Sequence, residues 1–272
     1  MNLPLAILIT LLLSSHFNTW ATTAVDTASL CETYQGFLQQ GVPKNPLKQA
    51  MVYFEQNRDK ISNQSVITIA DYGLHSGQRR FYVLSLPTQK MEKYRVSHGS
   101  GSVRGVRWGD RDHNGYLDRC ALPKDVVKKS KKHPRFALTR PGFFLTGETY
   151  NSRAHDPLNP RAKQPWPVLS TKPRFNALRL DGLIQGVNDK ARSRGVVMHE
   201  AFYNQNELKM GRSFGCPAFK PQIGRKIINQ IKGGSLYYSY VPTQHETCIA
   251  DMKQVLSTIE GWEGYCEVKN AK

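Results

Sequence analysis

Between Val66 and Tyr240 the chain never sustains a helical pattern for long, because short β-branched and aromatic runs keep giving way to Gly, Pro and Asn. That punctuation confines the region to strands and turns and argues for a β-rich domain. Ahead of it, Leu47, Ala50, Met51 and Phe54 recur at helical spacing, so Pro46 to Asn57 reads as a helix packed on the sheet. Behind it, Cys248 to Gly261 reads as a helical tail. The stretch 151–174 carries Pro157, Pro160, Pro165, Pro167, Pro173 and Trp166, which makes it an irregular loop over the sheet, either a lid or a plain surface connection. A chain of 272 residues is most economically one domain with appended termini.

The residues that carry chemistry lie late in this region. Cys216 sits in Gly211-Arg212-Ser213-Phe214-Gly215-Cys216-Pro217, 17 positions after His199, which ends the apolar run Val196-Val197-Met198. A free cysteine is only slightly ionised at neutral pH, so a thiol nucleophile needs a base to take its proton or pair with its charge, and histidine does both. Gly215 lets the backbone approach a substrate closely, and its N–H with that of Cys216 is a candidate pair of donors for the oxygen of a tetrahedral intermediate. Pro217 fixes φ just after the thiol and stiffens the turn. The competing reading is a core cysteine near an unrelated core histidine.

The sequence resembles the peptidoglycan L,D-transpeptidases of the YkuD type, in particular the murein L,D-transpeptidase catalytic domain branch. The resemblance rests on His199 followed by Ser213-Phe214-Gly215-Cys216, and extends over about residues 45 to 240. Ile67 to Tyr72 and Arg80 to Leu84 look like the branch's opening strands, and Val96-Ser97-His98-Gly99 like its V-x-H-G strand end. Leu178 to Leu183, Asn188 to Gly195 and Lys232 to Tyr238 are also similar to it. Glu200 stands where relatives usually have a small residue, Phe214 where many have His or Trp, and Gly-Cys-Pro is a mark of the murein branch. The resemblance implies a mainly β, α+β fold: a β-sandwich catalytic domain at 66–240, an N-terminal helical segment at 22–65 packed on it, and a helical tail at 241–272. It implies Cys216 as nucleophile, His199 as base, the Glu200 backbone carbonyl orienting the imidazole, and Ser213, Arg212, Tyr203 and His98 around the substrate, with Cys216 at the base of a groove. The expected reaction is cysteine acyl transfer on peptidoglycan stem peptides. A carboxypeptidase or endopeptidase that hands the same acyl-enzyme to water remains an alternative, as does a non-catalytic wall-binding module.

Composition bears on location. Leu3 to Leu13 is an apolar run of secretory length, short for a bilayer span, and Thr19-Trp20-Ala21 is a cleavage candidate. Residues 1–21 are therefore expected to be a signal peptide, although no Lys or Arg precedes the run. Leu30 before Cys31 makes a poor lipidation box, so the mature protein is expected to be exported, periplasmic or envelope-bound, without stable membrane insertion. Five cysteines leave one unpaired. With Cys216 as the odd one, Cys31, Cys120, Cys248 and Cys266 allow two disulfides in three pairings. Cys248 with Cys266 is favoured here because it would staple the tail onto itself; four reduced, buried cysteines are the alternative.

A net charge of +17 implies anionic partners, which in an envelope means peptidoglycan carboxylates and anionic polymers. Lys124, Lys128, Lys129, Lys131, Lys132, Arg135 and Arg140 form the densest basic run, either a solvated, substrate-steering face or merely a loop. Nucleic acid is not expected, since an exported chain without a recognition helix rarely meets it. Asp110, Asp112, Asn114 and Asp118, with Gly115 at position 6, match the first part of a calcium loop, whereas position 12 is Ala121 in place of the bidentate Glu. An Asp/Asn/Gly-rich turn is the plainer reading. No His-Glu-x-x-His zinc spacing occurs at His199, because position 203 is Tyr, and thiol catalysis calls for no cofactor.

Overall fold

The structure, a computed structural model, describes residues 27–102, 105–122, 138–205, 208–242 and 246–267. The expected signal peptide and the lysines of the basic run, with Arg135, lie outside the described residues. Two helices open the chain, α1 (Thr27–Gln39) and α2 (Lys44–Gln56). Strands β1 (Val66–Asp71), β2 (Phe81–Ser85), β3 (Lys90–Tyr94) and β4 (His98–Gly99) follow, then the long β5 (Gly142–Tyr150). A small hairpin, β6 (Ser170–Thr171) with β7 (Arg174–Phe175), precedes β8 (Ala177–Gly182), β9 (Val197–Glu200), β10 (Arg212–Ser213) and β11 (Ala218–Phe219). Helix α3 (Gly224–Ile231), β12 (Leu236–Tyr240) and α4 (Glu246–Leu256) complete the chain.

Eight strands form one mixed sheet in the order β11-β9-β8-β5-β12-β1-β2-β3, and a separate parallel pair joins β4 to β10. The fold is thus mainly β with helices packed on it. Strand β1 is buried along its whole length, which requires cover on both faces. Because side chains alternate along a strand, neighbours in β5 and β12 divide between the two faces. Tyr53 of α2 stacks on Phe143 at 3.8 Å and Phe143 on Tyr238 at 4.3 Å, so these residues define the face under α2. Tyr238 also donates to the buried Gln49 of α2 at 2.6 Å. Phe144 and Tyr237 turn the other way, where Phe81 meets Phe219 edge-on at 5.0 Å. The isoleucines 227, 228 and 231 of α3 are fully buried.

Two disulfides close the molecule, Cys31–Cys266 and Cys120–Cys248, and Cys216 is the free thiol. The favoured Cys248–Cys266 staple is therefore corrected. Cys248 shares the inner face of α4 with Met252 and Val255, all buried, and cannot turn outward to position 266. Cys266 lies beyond that helix beside α1, where Tyr265 meets Tyr34 edge-on. Arg140 is likewise corrected: it is buried, and its Nη1 donates to Cys120 O and Asp251 Oδ2, both at 3.0 Å, so it braces the disulfide instead of facing a substrate.

Thiol titration of the denatured, unreduced protein should find one free thiol, at Cys216. Non-reducing peptide maps should join Cys31 to Cys266 and Cys120 to Cys248, and a Cys248–Cys266 peptide would contradict this pairing. Replacing Cys120 and Cys248 by serine should lower unfolding free energy by about 2–5 kcal/mol, measured by denaturant titration.

Candidate active site

Strand β9 is flanked by β8 and, in parallel, by β11, where His199 pairs with Ala218. The His199 N–H donates to Pro217 O at 3.4 Å and the Ala201 N–H to Phe219 O at 3.0 Å. This pairing sets the histidine beside the turn that follows Cys216. The turn itself is closed by Ser213, whose hydroxyl accepts the Gly215 N–H at 3.0 Å and donates to Cys216 O at 2.6 Å. Gly215 sits at φ +107°, a region that favours glycine. The Gly215 N–H is consequently occupied and not free for an oxyanion, which corrects the expectation from sequence. The Cys216 N–H has no acceptor among the described residues.

The imidazole is oriented by its neighbour. His199 Nδ1–H donates to the Glu200 backbone carbonyl at 2.8 Å, which leaves Nε2 as the lone-pair nitrogen. The Glu200 side chain is spent elsewhere, accepting the Arg225 N–H at the start of α3. Trp166 stacks on His199 at 3.8 Å, and His155 on the far face of the same indole at 3.8 Å. Burial holds the His199 imidazole down at about 3 against the pull of the Glu200 carbonyl, with His155 adding a small repulsion. Burial also pushes the Cys216 thiol up to about 11, the Val197 N–H opposing it. The resting pair is thus a thiol and a neutral imidazole. Cys216 Sγ accepts the Val197 N–H at 3.5 Å and is 3.8 Å from Gly195 O; among the described residues no hydrogen bond joins it to His199.

Cys216 and His199 line one cavity of about 540 Å³. Arg107, Arg194 and Arg212 also line it, and no carboxylate does among the described residues. Tyr203 and the exposed Phe214 stand at its edge. The proline-rich loop 151–174 contributes His155, Gln164 and Trp166, so it is a wall of the cavity and more than a connection. Asp156 fixes that wall: it accepts from Asn151, Leu158 N–H and the Arg174 guanidinium, which holds the carboxyl well below its usual range. The stacking role of Trp166 and His155 is not readable from sequence, where they are only aromatics in a loop.

His98 does not reach the cavity, which corrects its expected place beside the substrate. It is fully buried, accepts from Arg80 Nη2 at Nδ1 (2.7 Å) and donates from Nε2 to Asp110 Oδ2 (3.1 Å). Arg212 faces the cavity but is tethered behind it, donating to the Asp110 backbone carbonyl at 2.5 Å. Ser213 lines the cavity with its hydroxyl consumed by the turn.

The model of the L,D-transpeptidase catalytic domain matches residues 38–108 and 174–240, half of the sequence, and the chain belongs to that family. No curated protein matches it at the sequence level. Among solved structures, an L,D-transpeptidase from Mycobacterium smegmatis is 16% identical with a TM-score of 0.34, covering 65% of this chain, which spans 59% of that protein's length. An L,D-transpeptidase from Stackebrandtia nassauensis is 14% identical with a TM-score of 0.32, covering 82% of this chain and 80% of its own.

If Trp166 keeps water off the imidazole, Trp166→Ala should raise the His199 pKa from about 3 toward the ordinary 6.5, since restored hydration favours the cation. Titration of the His199 ring resonance by NMR measures this, and an unmoved pKa would remove Trp166 from that role.

Proposed function

We propose that the protein is an exported cysteine acyl-transferase acting on peptidoglycan stem peptides, with Cys216 as nucleophile and His199 as base. The observation that carries this reading is the shared cavity, in which an imidazole with its Nδ1–H pinned to the Glu200 carbonyl and its Nε2 unprotonated stands beside the only free thiol. Family membership supports the reaction class. The three arginines around the cavity suit a substrate that carries carboxylates, and the aromatic side chains at its edge suit a peptide or sugar face.

In this reading, rotation of the Cys216 side chain away from Gly195 O brings the sulfur to His199. Because the resting pair is neutral, the imidazole takes the S–H proton as the sulfur attacks, not beforehand. The carbonyl attacked joins the L-centre of a diaminopimelate-type residue to the terminal D-alanine. Its oxygen takes up negative charge opposite the Cys216 N–H. The C–N bond then breaks, the imidazolium returns its proton to the departing D-alanine amine, and a thioester remains. An amine of a neighbouring stem attacks the thioester, forming the cross-link and releasing the thiol. The two disulfides support an extracytoplasmic setting.

Incubating purified murein sacculi with the mature protein should release D-alanine and yield new dimers by mass spectrometry. Tripeptides without dimers would mean that water is the acceptor. Cys216→Ala should abolish the change, and His199→Ala should slow it by roughly 10²–10⁴-fold; turnover retained in the alanine variant at 216 would defeat the assignment. Alkylation of Cys216 by iodoacetamide should rise about tenfold per pH unit from 7 to 9, because the thiolate is the reactive form and its pKa lies above that window. A flat profile would mean a preformed thiolate.

A further inference from the structure

The loop between β4 and the first disulfide holds a second constellation that the acyl-transfer chemistry does not use. Asp110, Asp112 and Asp118 bring one carboxylate oxygen each within 4.8 Å of one another. Oxygens on one Ca²⁺ ion lie about 2.3–2.6 Å from it, so two of them are at most about 5 Å apart, and the cluster has the span of a single ion. Sequence order adds Asn114 at the fifth position and Tyr116 at the seventh, which in such loops supplies a backbone carbonyl.

A turn rich in Asp and Asn accounts for part of this. Asp112 accepts the Asn114 N–H at 3.1 Å, and Asn114 accepts the Tyr116 N–H at 2.9 Å. It does not account for Asp110. That residue is fully buried; Oδ2 takes the His98 N–H and the Gly115 N–H also steadies the carboxylate, while Oδ1 has no donor within hydrogen-bond distance, the Arg212 guanidinium standing off at 3.9 Å. A buried carboxylate oxygen without a partner is costly, and a cation at the cluster would satisfy it while relieving the repulsion among three carboxylates. A cleft lined by Trp108, Arg111, Asp112, Asp118 and Arg119 opens onto the cluster and gives an ion a way in, the two carboxylates balancing the two arginines there. We infer that residues 110–118 form a Ca²⁺ site, with Asp110, Asp112, Asn114 and Asp118 giving side-chain oxygens, Tyr116 its carbonyl, and water the remaining positions.

The ion would act on the neighbouring cavity without touching substrate. Asp110 holds Arg212 through its backbone carbonyl, and His113, within the loop, lines the cavity wall. Calcium would therefore fix one side of the groove that contains Cys216.

The test uses the full mature chain after EDTA treatment and dialysis. Tb³⁺ should give saturable luminescence sensitised by the adjacent Trp108 and Tyr116, displaced by Ca²⁺ with one-to-one stoichiometry, and Ca²⁺ should raise the melting temperature where Mg²⁺ does not. Asp112 is exposed and Asp118 half-exposed, so an Asp112→Asn/Asp118→Asn variant should keep the fold. Loss of supporting groups alone costs about 10–100-fold in metal affinity, so this variant should bind Ca²⁺ at least about tenfold more weakly. No saturable emission, equal binding of Mg²⁺, or undiminished affinity in the double variant would each overturn the assignment, independently of any activity on murein.

Discussion

A guanidinium sealed from water must have its donors filled by the protein, and at Arg80 that requirement ties the far parts of the site together. Burial brings its pKa down to about 10, which still leaves it charged. Its nitrogens donate to Leu74 O, Val96 O and the Nδ1 of His98. His98 passes the constraint to Asp110, and Asp110 to Arg212 at the head of the segment that carries Cys216. The β4–β10 pair is short, with only His98–Gly99 against Arg212–Ser213, so side chains supply much of what a longer ladder would. Removing any link would strand a buried polar group, which is why such chains hold geometry more firmly than their individual bonds suggest.

The thiol and the imidazole are both held in their neutral forms by lost hydration, complete at the buried His199 and partial at Cys216, which is half-buried on the cavity wall. Trp166 covers one face of His199, and β8 and β11 flank its strand. A neutral thiol is protected from adventitious electrophiles and oxidants, since the thiolate is the reactive species. The cavity's arginines sit at its walls, where positive charge favours an anionic ligand.

Much of this was legible before any coordinates. The helix over Lys44–Gln56 follows from apolar spacing and the strands at Val66–Asp71 and Phe81–Ser85 from the family resemblance, each within a residue or two at its ends, whereas the tail helix stops five residues short of Gly261. The Glu200 carbonyl and the free state of Cys216 followed from the resemblance and from cysteine parity. What sequence could not show is where non-periodic side chains go. Trp166 has no neighbours in sequence that point to His199, and the stack depends on Asp156 pinning a loop from a distance. The resemblance of Val96-Ser97-His98-Gly99 to the family's V-x-H-G strand end implies a place for His98 beside the substrate, yet strand ends also run inward, and Arg80 claims it. The cysteine pairing failed on proximity in sequence: Cys248 faces the sheet because Met252 and Val255 share its helical face, a constraint set by α4 as a whole.

The two disulfides connect residues 235 and 128 positions apart. The outer one makes residues 31 to 266 a covalent ring, so a single backbone cut anywhere within it leaves both pieces attached. A cut between residues 120 and 248 leaves them joined twice. A protease nick would therefore not shed a fragment, and β9 and β11 would stay on one covalently closed body. Reduction, not proteolysis alone, is the event that would let this domain come apart.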